Sequence, residues 1–168
     1  MDQARAEGSA TGRNALQLSL LQTRALTQAQ AGLAFLRAEP DVDPGRVVLV
    51  GHSFGGSLTL LLAAQASLIR AVVVFGAAAG SWASSPDLQR RLLEAVRTIR
   101  APVLLLHTAN DYSTAPGIAL ADERRRLGKA VDLRIYPAYG QTASEGHNFL
   151  YRDPTRWEAD VMTFLDTH

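Results

Sequence analysis

Three short, uninterrupted apolar runs restrict the folds open to this chain more than any other feature: VVLV at residues 47–50, AVVVF at 71–75 and PVLLLH at 102–107. Each is rich in β-branched residues or leucine and too short for a helix. None alternates apolar with polar, so each reads as a strand covered on both faces. The stretches between them are long enough to be the helical crossovers that parallel strands need. The expected fold class is α/β, a mostly parallel sheet of about four strands with helices on both faces.

The intervening patterns supply those helices. Leu18, Leu21, Ala25, Ala29, Leu33 and Leu36 step by three and four residues onto one helical face, and that helix should stop before Pro40. Residues 54–69 are apolar, rich in Leu and Ala and too long for a strand, which predicts a buried helix. Ser85, Pro86 and Asp87 form a helix start, with Leu88, Leu92, Val96 and Ile99 along one face. A helix over 116–127 closes at Gly128, residues 131–136 read as an edge strand, and a helix near Pro154 turns Trp157, Val161, Phe164 and Leu165 inward. Residues 1–14 hold almost nothing to bury and are expected to be a flexible tail, leaving 15–168 as one domain.

With 17 basic and 16 acidic residues and a formal net charge of +1, the chain lacks the footprint of a nucleic-acid-binding protein. Its densest basic cluster, Arg124, Arg125 and Arg126, follows Asp122 and Glu123 and reads as a solvated helix face. There is no cysteine, which removes disulfides, thiolate metal sites and a cysteine nucleophile together. No apolar run approaches the roughly 20 residues of a membrane span, and the N-terminus lacks the apolar core of a signal peptide. No membrane contact is expected, and cytoplasmic residence is the default.

GHSFG at 51–55 fits G-x-S-x-G, a pattern short enough to recur by chance. Its context is more specific, because a strand precedes it and a helix follows. A serine on so sharp a turn is lifted to the C-terminal edge of the sheet, with glycines two positions either side to avoid neighbouring backbone. The turn also aims the N–H of Phe54 at the place where an oxyanion would form. The competing reading of Ser53 is a helix-capping serine in a glycine-rich turn.

A serine hydroxyl needs a base, and the base needs an orienting acid. Asp111 lies a few residues past the strand at 102–107, and His147 lies in the loop after the last strand, both at C-terminal strand ends. Asp111 also suits a simple turn, and His147 a surface loop. The alternatives fit less well: His52 sits inside the elbow, His107 ends a strand as a core or supporting group, and His168 is the terminus. Asp132 begins an edge strand, Asp153 suits a helix cap, Asp160 lies in a helix body and Glu145 is too near His147 in sequence.

Together GHSFGG, PVLLLHTANDYSTAP and EGHNFLYRDP resemble the α/β-hydrolase fold in its dienelactone-hydrolase-like esterase branch, from Leu18 to the C-terminus. The family order of nucleophile, acid and histidine falls on Ser53, Asp111 and His147. The resemblance implies a serine carboxylesterase acting on small or short-chain carboxylic esters through an acyl-enzyme on Ser53, with no metal or organic cofactor. Dienelactone hydrolases proper carry a nucleophilic cysteine, so Ser53 points toward carboxylesterase chemistry. A peptidase or acyltransferase would use the same triad, and a catalytically weak binding or assembly module would keep only the fold.

The resemblance also carries a departure. The family places four strands before the elbow and draws a second oxyanion donor from the loop after the third, often a Gly-rich segment resembling HGG. Here one helix precedes Val47, so the chain reads as the C-terminal part of the fold, and a missing donor would forfeit about 2.7–4 kcal/mol of transition-state stabilisation. The strand of Val47, Val48, Leu49 and Val50 would then lie at an open edge, and open apolar edges are usually covered. A homo-oligomer through that strand is expected, and a monodisperse monomer by light scattering would contradict it. Trp82, Tyr112 and Phe149, from three loops near the same edge, either form a substrate pocket or cap the core beneath those loops.

Overall fold

Four strands pair in the order in which they occur in the chain. β1 (Val48–His52), β2 (Ala71–Phe75), β3 (Val103–Thr108) and β4 (Val131–Tyr136) form one sheet with every neighbouring pair parallel. The structure, a computed structural model, describes residues 10–168. Helices α1 (Ala10–Gln22) and α2 (Arg24–Ala38) precede β1. Connecting the strands are α3 (Phe54–Gln65), α4 (Pro86–Thr98) and α5 (Ala115–Arg126). After β4 come α6 (Ala143–His147), α7 (Phe149–Arg152) and α8 (Glu158–Thr167). Because all four strands run the same way, the loops that follow them meet at one sheet edge.

The pleat divides the continuous apolar strands between two cores. Val72 and Val74 of β2, with Val103 and Leu105 of β3, join Leu60 of α3, Leu92 of α4, Leu120 of α5 and Leu21 and Leu33 of α1 and α2. Ala71, Val73 and Phe75, with Leu104 and Leu106, join Phe149 of α7 and Val161 and Phe164 of α8. Every residue of β2 and β3 is buried, as unbroken apolar runs with helices on both faces require. The α/β class with helices on both faces is the observed one.

The elements depart from expectation where tertiary demands override local pattern. The run at 47–50 is not covered on both faces: β1 starts at Val48, lies at the sheet edge expected for it and leaves Val50 60% exposed. The helix expected from Leu18 to Pro40 is two helices, broken at Thr23, whose backbone leaves the helical region. Hydroxyls of Thr23 and Thr27 bond back to carbonyls four residues earlier, which favours such a break. Leu26 is buried there while Leu36 is 43% exposed. Of the expected tail, residues 1–9 lie outside the described residues, and 10–14 belong to α1.

Helix α3 stops at Gln65, four residues short of Ile69, because the chain must turn to enter β2. Leu68 takes φ +55° in that turn, and the Arg70 N–H donates to the Val47 carbonyl at 2.9 Å. Ser85 makes no side-chain capping bond to α4, although Pro86 and Asp87 occupy its first turn as expected. α5 closes at Gly128, φ +65°, in the left-handed conformation that favours glycine. A single 3₁₀ turn at Pro154–Arg156 precedes α8. Among the described residues no helix is long and apolar enough to cross a membrane.

The basic cluster on α5 is the clearest correction. Arg125 and Arg126 are exposed and pair with Asp122 and Glu123, whereas Arg124 is fully buried. Its guanidinium donates to the carbonyls of Val96, Ile99, Ala101 and Ala130 at 2.7–3.2 Å, tying the end of α4 and the approach to β4 onto α5.

Candidate active site

The turn after β1 holds Ser53 at φ +55° and ψ −118°, a conformation that costs a residue with a side chain about 1–3 kcal/mol. The Ser53 N–H holds it there by donating to the Phe75 carbonyl at 2.8 Å. Its side chain makes no capping bond to α3, so the hydroxyl is not spent on the helix end. A Cβ on Gly51 would collide with the Thr59 hydroxyl and the Gly55 carbonyl, and one on Gly56 would lie 2.9 Å from Val74 Cγ1. Gly55 has open space around its Cβ position, so the two glycines that sterics require are Gly51 and Gly56, not Gly51 and Gly55. Phe54 opens α3, and its N–H belongs to the first turn, which has no acceptor inside the helix.

Replacing Ser53 with glycine should relieve that strain. Chemical denaturation should show the variant about 1 kcal/mol or more stabler than the parent. Equal or lower stability would mean that the turn is not strained.

Asp111 and His147 meet at this edge. His147 Nδ1 lies 2.7 Å from Asp111 Oδ1, and both side chains are buried. A carboxylate can only accept, so Nδ1 carries the proton and Nε2 is left with its lone pair. Asp111 also accepts from the Tyr112 N–H at 2.7 Å and from His107 Nδ1 at 2.8 Å. Burial pushes the Asp111 carboxyl up, but the bonds from the two histidines outweigh it and hold it at about 2, against an ordinary 3.8. Ser53 Oγ makes no hydrogen bond to the ring here; such bonds commonly close only with substrate present.

Further contacts fix His147 and the segment that carries it. The His52 Nε2–H donates to the His147 carbonyl at 2.9 Å, and its ring lies 4.6 Å from the His147 ring, with Tyr151 OH against its Nδ1 at 3.3 Å. Both His52 nitrogens are thus engaged away from Ser53, and burial, then His147, holds its pKa below the ordinary histidine value. Asn110 donates to the Tyr139 and Thr142 carbonyls at 2.9 and 3.0 Å and accepts from the Tyr139 N–H, gripping the segment that leads into α6. Thr142 and Glu145 close a capping box at the start of α6, which ends at His147. Gly76, φ +57°, leaves the space in which the pair meets: a Cβ there would lie 2.9 Å from His147 Cε1 and 3.1 Å from Asp111 Oδ2.

Gly76 and Asn110 escape a reading confined to nucleophile, acid and base, although a glycine directly after a buried strand at the catalytic edge is a legible signal. The three aromatic candidates separate. Tyr112 is 52% exposed with its ring 5.1 Å from that of His147. Trp82 and Phe149 belong to the two cores, Phe149 packing on Phe75 and Tyr136. Among the described residues no group of three or more His, Asp or Glu could hold a metal ion.

The sequence profile of the dienelactone hydrolase family matches residues 2–163. A curated protein of Methylorubrum extorquens, provisionally named carboxymethylenebutenolidase, is 26% identical over 130 residues, which make up 76% of this chain and 44% of that protein. The chain therefore spans less than half the length of that relative. An esterase of Pyrococcus furiosus has a similar structure, with a TM-score of 0.69 at 15% identity over 89% of this chain and 63% of the esterase. So does the acylaminoacyl peptidase of Pyrococcus horikoshii, with a TM-score of 0.62 at 22% identity over 79% of this chain and 26% of the peptidase. At these identities the likeness to the two structures is one of fold, and it is the profile match over nearly all of its residues that places this chain in the dienelactone hydrolase family.

Proposed function

We propose that this chain is a serine carboxylesterase for small or short-chain carboxylic esters. The supporting observation is the strained, uncapping Ser53 on the same sheet edge as a buried Asp111–His147 pair whose imidazole keeps Nε2 as the basic nitrogen. In this reading Ser53 Oγ attacks the ester carbonyl as its proton passes to His147 Nε2. The Phe54 N–H donates to the oxygen that gains charge, and Asp111 balances the imidazolium. Collapse of the tetrahedral intermediate breaks the C–O bond, and the Nε2 proton leaves with the alcohol. A water then gives its proton to Nε2 as it attacks the acyl-enzyme, releasing the acid and restoring Ser53.

One donor N–H is accounted for at the oxyanion position, which restricts the expected substrates to reactive esters. Hydrolysis of p-nitrophenyl acetate beside a Ser53→Ala variant tests the reading. Turnover by the parent that disappears in the variant is expected, and equal hydrolysis by both proteins would overturn it.

A further inference from the structure

His107 takes no part in the ester chemistry above, yet it is built into the acid of the pair. It is the penultimate residue of β3, 2% exposed, and its Nδ1 lies 2.8 Å from Asp111 Oδ2. The opposite carboxylate oxygen, Oδ1, receives His147 Nδ1 and the Tyr112 N–H, each at 2.7 Å. A carboxylate has no proton to give here, so His107 contributes an Nδ1–H donor. The far side of its ring rests against α5, where a Cβ on Gly117 would lie 2.7 Å from both Cδ2 and Nε2. The imidazole is thus wedged between the α5 backbone and the carboxylate, with no room to turn away.

We propose that His107 is a positioning residue for the esterase reaction, one that holds Asp111 Oδ2 so that Oδ1 is presented to His147. Three restraints act on the acid. The Asp111 N–H bonds to the Thr108 carbonyl at 3.1 Å and fixes the backbone of the turn, the Tyr112 N–H holds Oδ1, and His107 holds Oδ2. Without His107, Oδ1 would keep the Tyr112 N–H, but Oδ2 would lose its donor and the carboxylate could pivot about Oδ1, turning the lone pair it offers away from the imidazole. This inference rests on the carboxylesterase reading and names a further residue for it.

Two substitutions separate the donor from the ring. In His107→Phe the ring volume remains and the donor is lost. In His107→Asn the side-chain amide takes the place of Nδ1 on Cγ and can still donate to Oδ2. With p-nitrophenyl acetate, the phenylalanine variant should lose about 10- to 100-fold in kcat with KM close to the parent's, and asparagine should recover most of that loss. Proton NMR reads the same tie without any substrate. The parent should show hydrogen-bonded imidazole N–H signals from His52, His107 and His147, and the phenylalanine variant should lose that of His107 and broaden that of His147. The proposal is overturned if the phenylalanine variant turns over as fast as the parent, or if the folded asparagine variant is as slow as the phenylalanine one. If phenylalanine prevents folding, the asparagine variant decides: a rate within about 10-fold of the parent supports the proposal and a larger loss overturns it. Failure of the esterase reading would look different, because the parent itself would then neither hydrolyse the ester nor react with a fluorophosphonate.

Discussion

Replacing Arg124 with methionine should destabilise the fold by about 3–5 kcal/mol in urea or thermal unfolding, a large part of the 5–15 kcal/mol that a domain typically has. The guanidinium is fully buried, and its hydrogen bonds run to the carbonyls of Val96, Ile99, Ala101 and Ala130. Those of Val96 and Ile99 stand at the C-terminal end of α4, where the helix dipole favours a cation. Methionine matches much of the length but donates nothing, so four carbonyls lose the guanidinium at once, and among the described residues only those of Ile99 and Ala130 keep another donor, from Lys129 Nζ and the Val103 N–H. Burial lowers the pKa of the guanidinium to about 10, which leaves it charged at neutral pH. Arg125→Met is the control: its partner Asp122 is exposed, and a change within about 0.5 kcal/mol is expected. Equal losses at the two positions would show that the buried network is not what matters.

Asp111→Asn should cost on the order of 10⁴-fold in kcat/KM for p-nitrophenyl acetate while the chain still folds. The amide is nearly isosteric, but it offers one acceptor atom where the His147 and His107 rings and the Tyr112 N–H now share two. It also brings no negative charge to set against the imidazolium formed when His147 takes the serine proton. The same variant gives a second reading in acid. The folded-state pKa of Asp111, about 2, lies below its ordinary 3.8, so the ionised carboxylate contributes stability that is present above about pH 4 and lost as the pH falls toward 2. The stability gap between parent and Asp111→Asn should therefore be constant from pH 5 upward and shrink below about pH 4. A gap independent of pH would mean that the histidine bonds do not favour the ionised carboxylate.

The framework was legible because it depends on patterns that local sequence carries. Uninterrupted apolar runs at Ala71–Phe75 and at β3, with helix-length segments between, leave few arrangements other than a covered parallel sheet, and both strands are buried throughout. The same pattern misleads at 47–50 about cover, since an apolar run does not report what packs on each face: β1 lies at the edge that the resemblance implies, and Val50 is exposed. Ser53, Asp111 and His147 could be named because nucleophile, acid and base must each follow a strand. Arg124 could not, because three consecutive arginines look alike until the turn of the helix sends one inward and leaves two outside. Gly56 is a spatial requirement, set by what a Cβ would strike across the fold, whereas Gly76 is announced only by its place directly after a buried strand.

The central claim is that Ser53 is a nucleophile activated by His147. Incubation with a fluorophosphonate followed by peptide mapping by mass spectrometry tests it most directly. One adduct per chain on the peptide containing Ser53 is expected, with labelling lost in His147→Ala and in Ser53→Ala. Absence of labelling, or labelling elsewhere that persists in both variants, would contradict it.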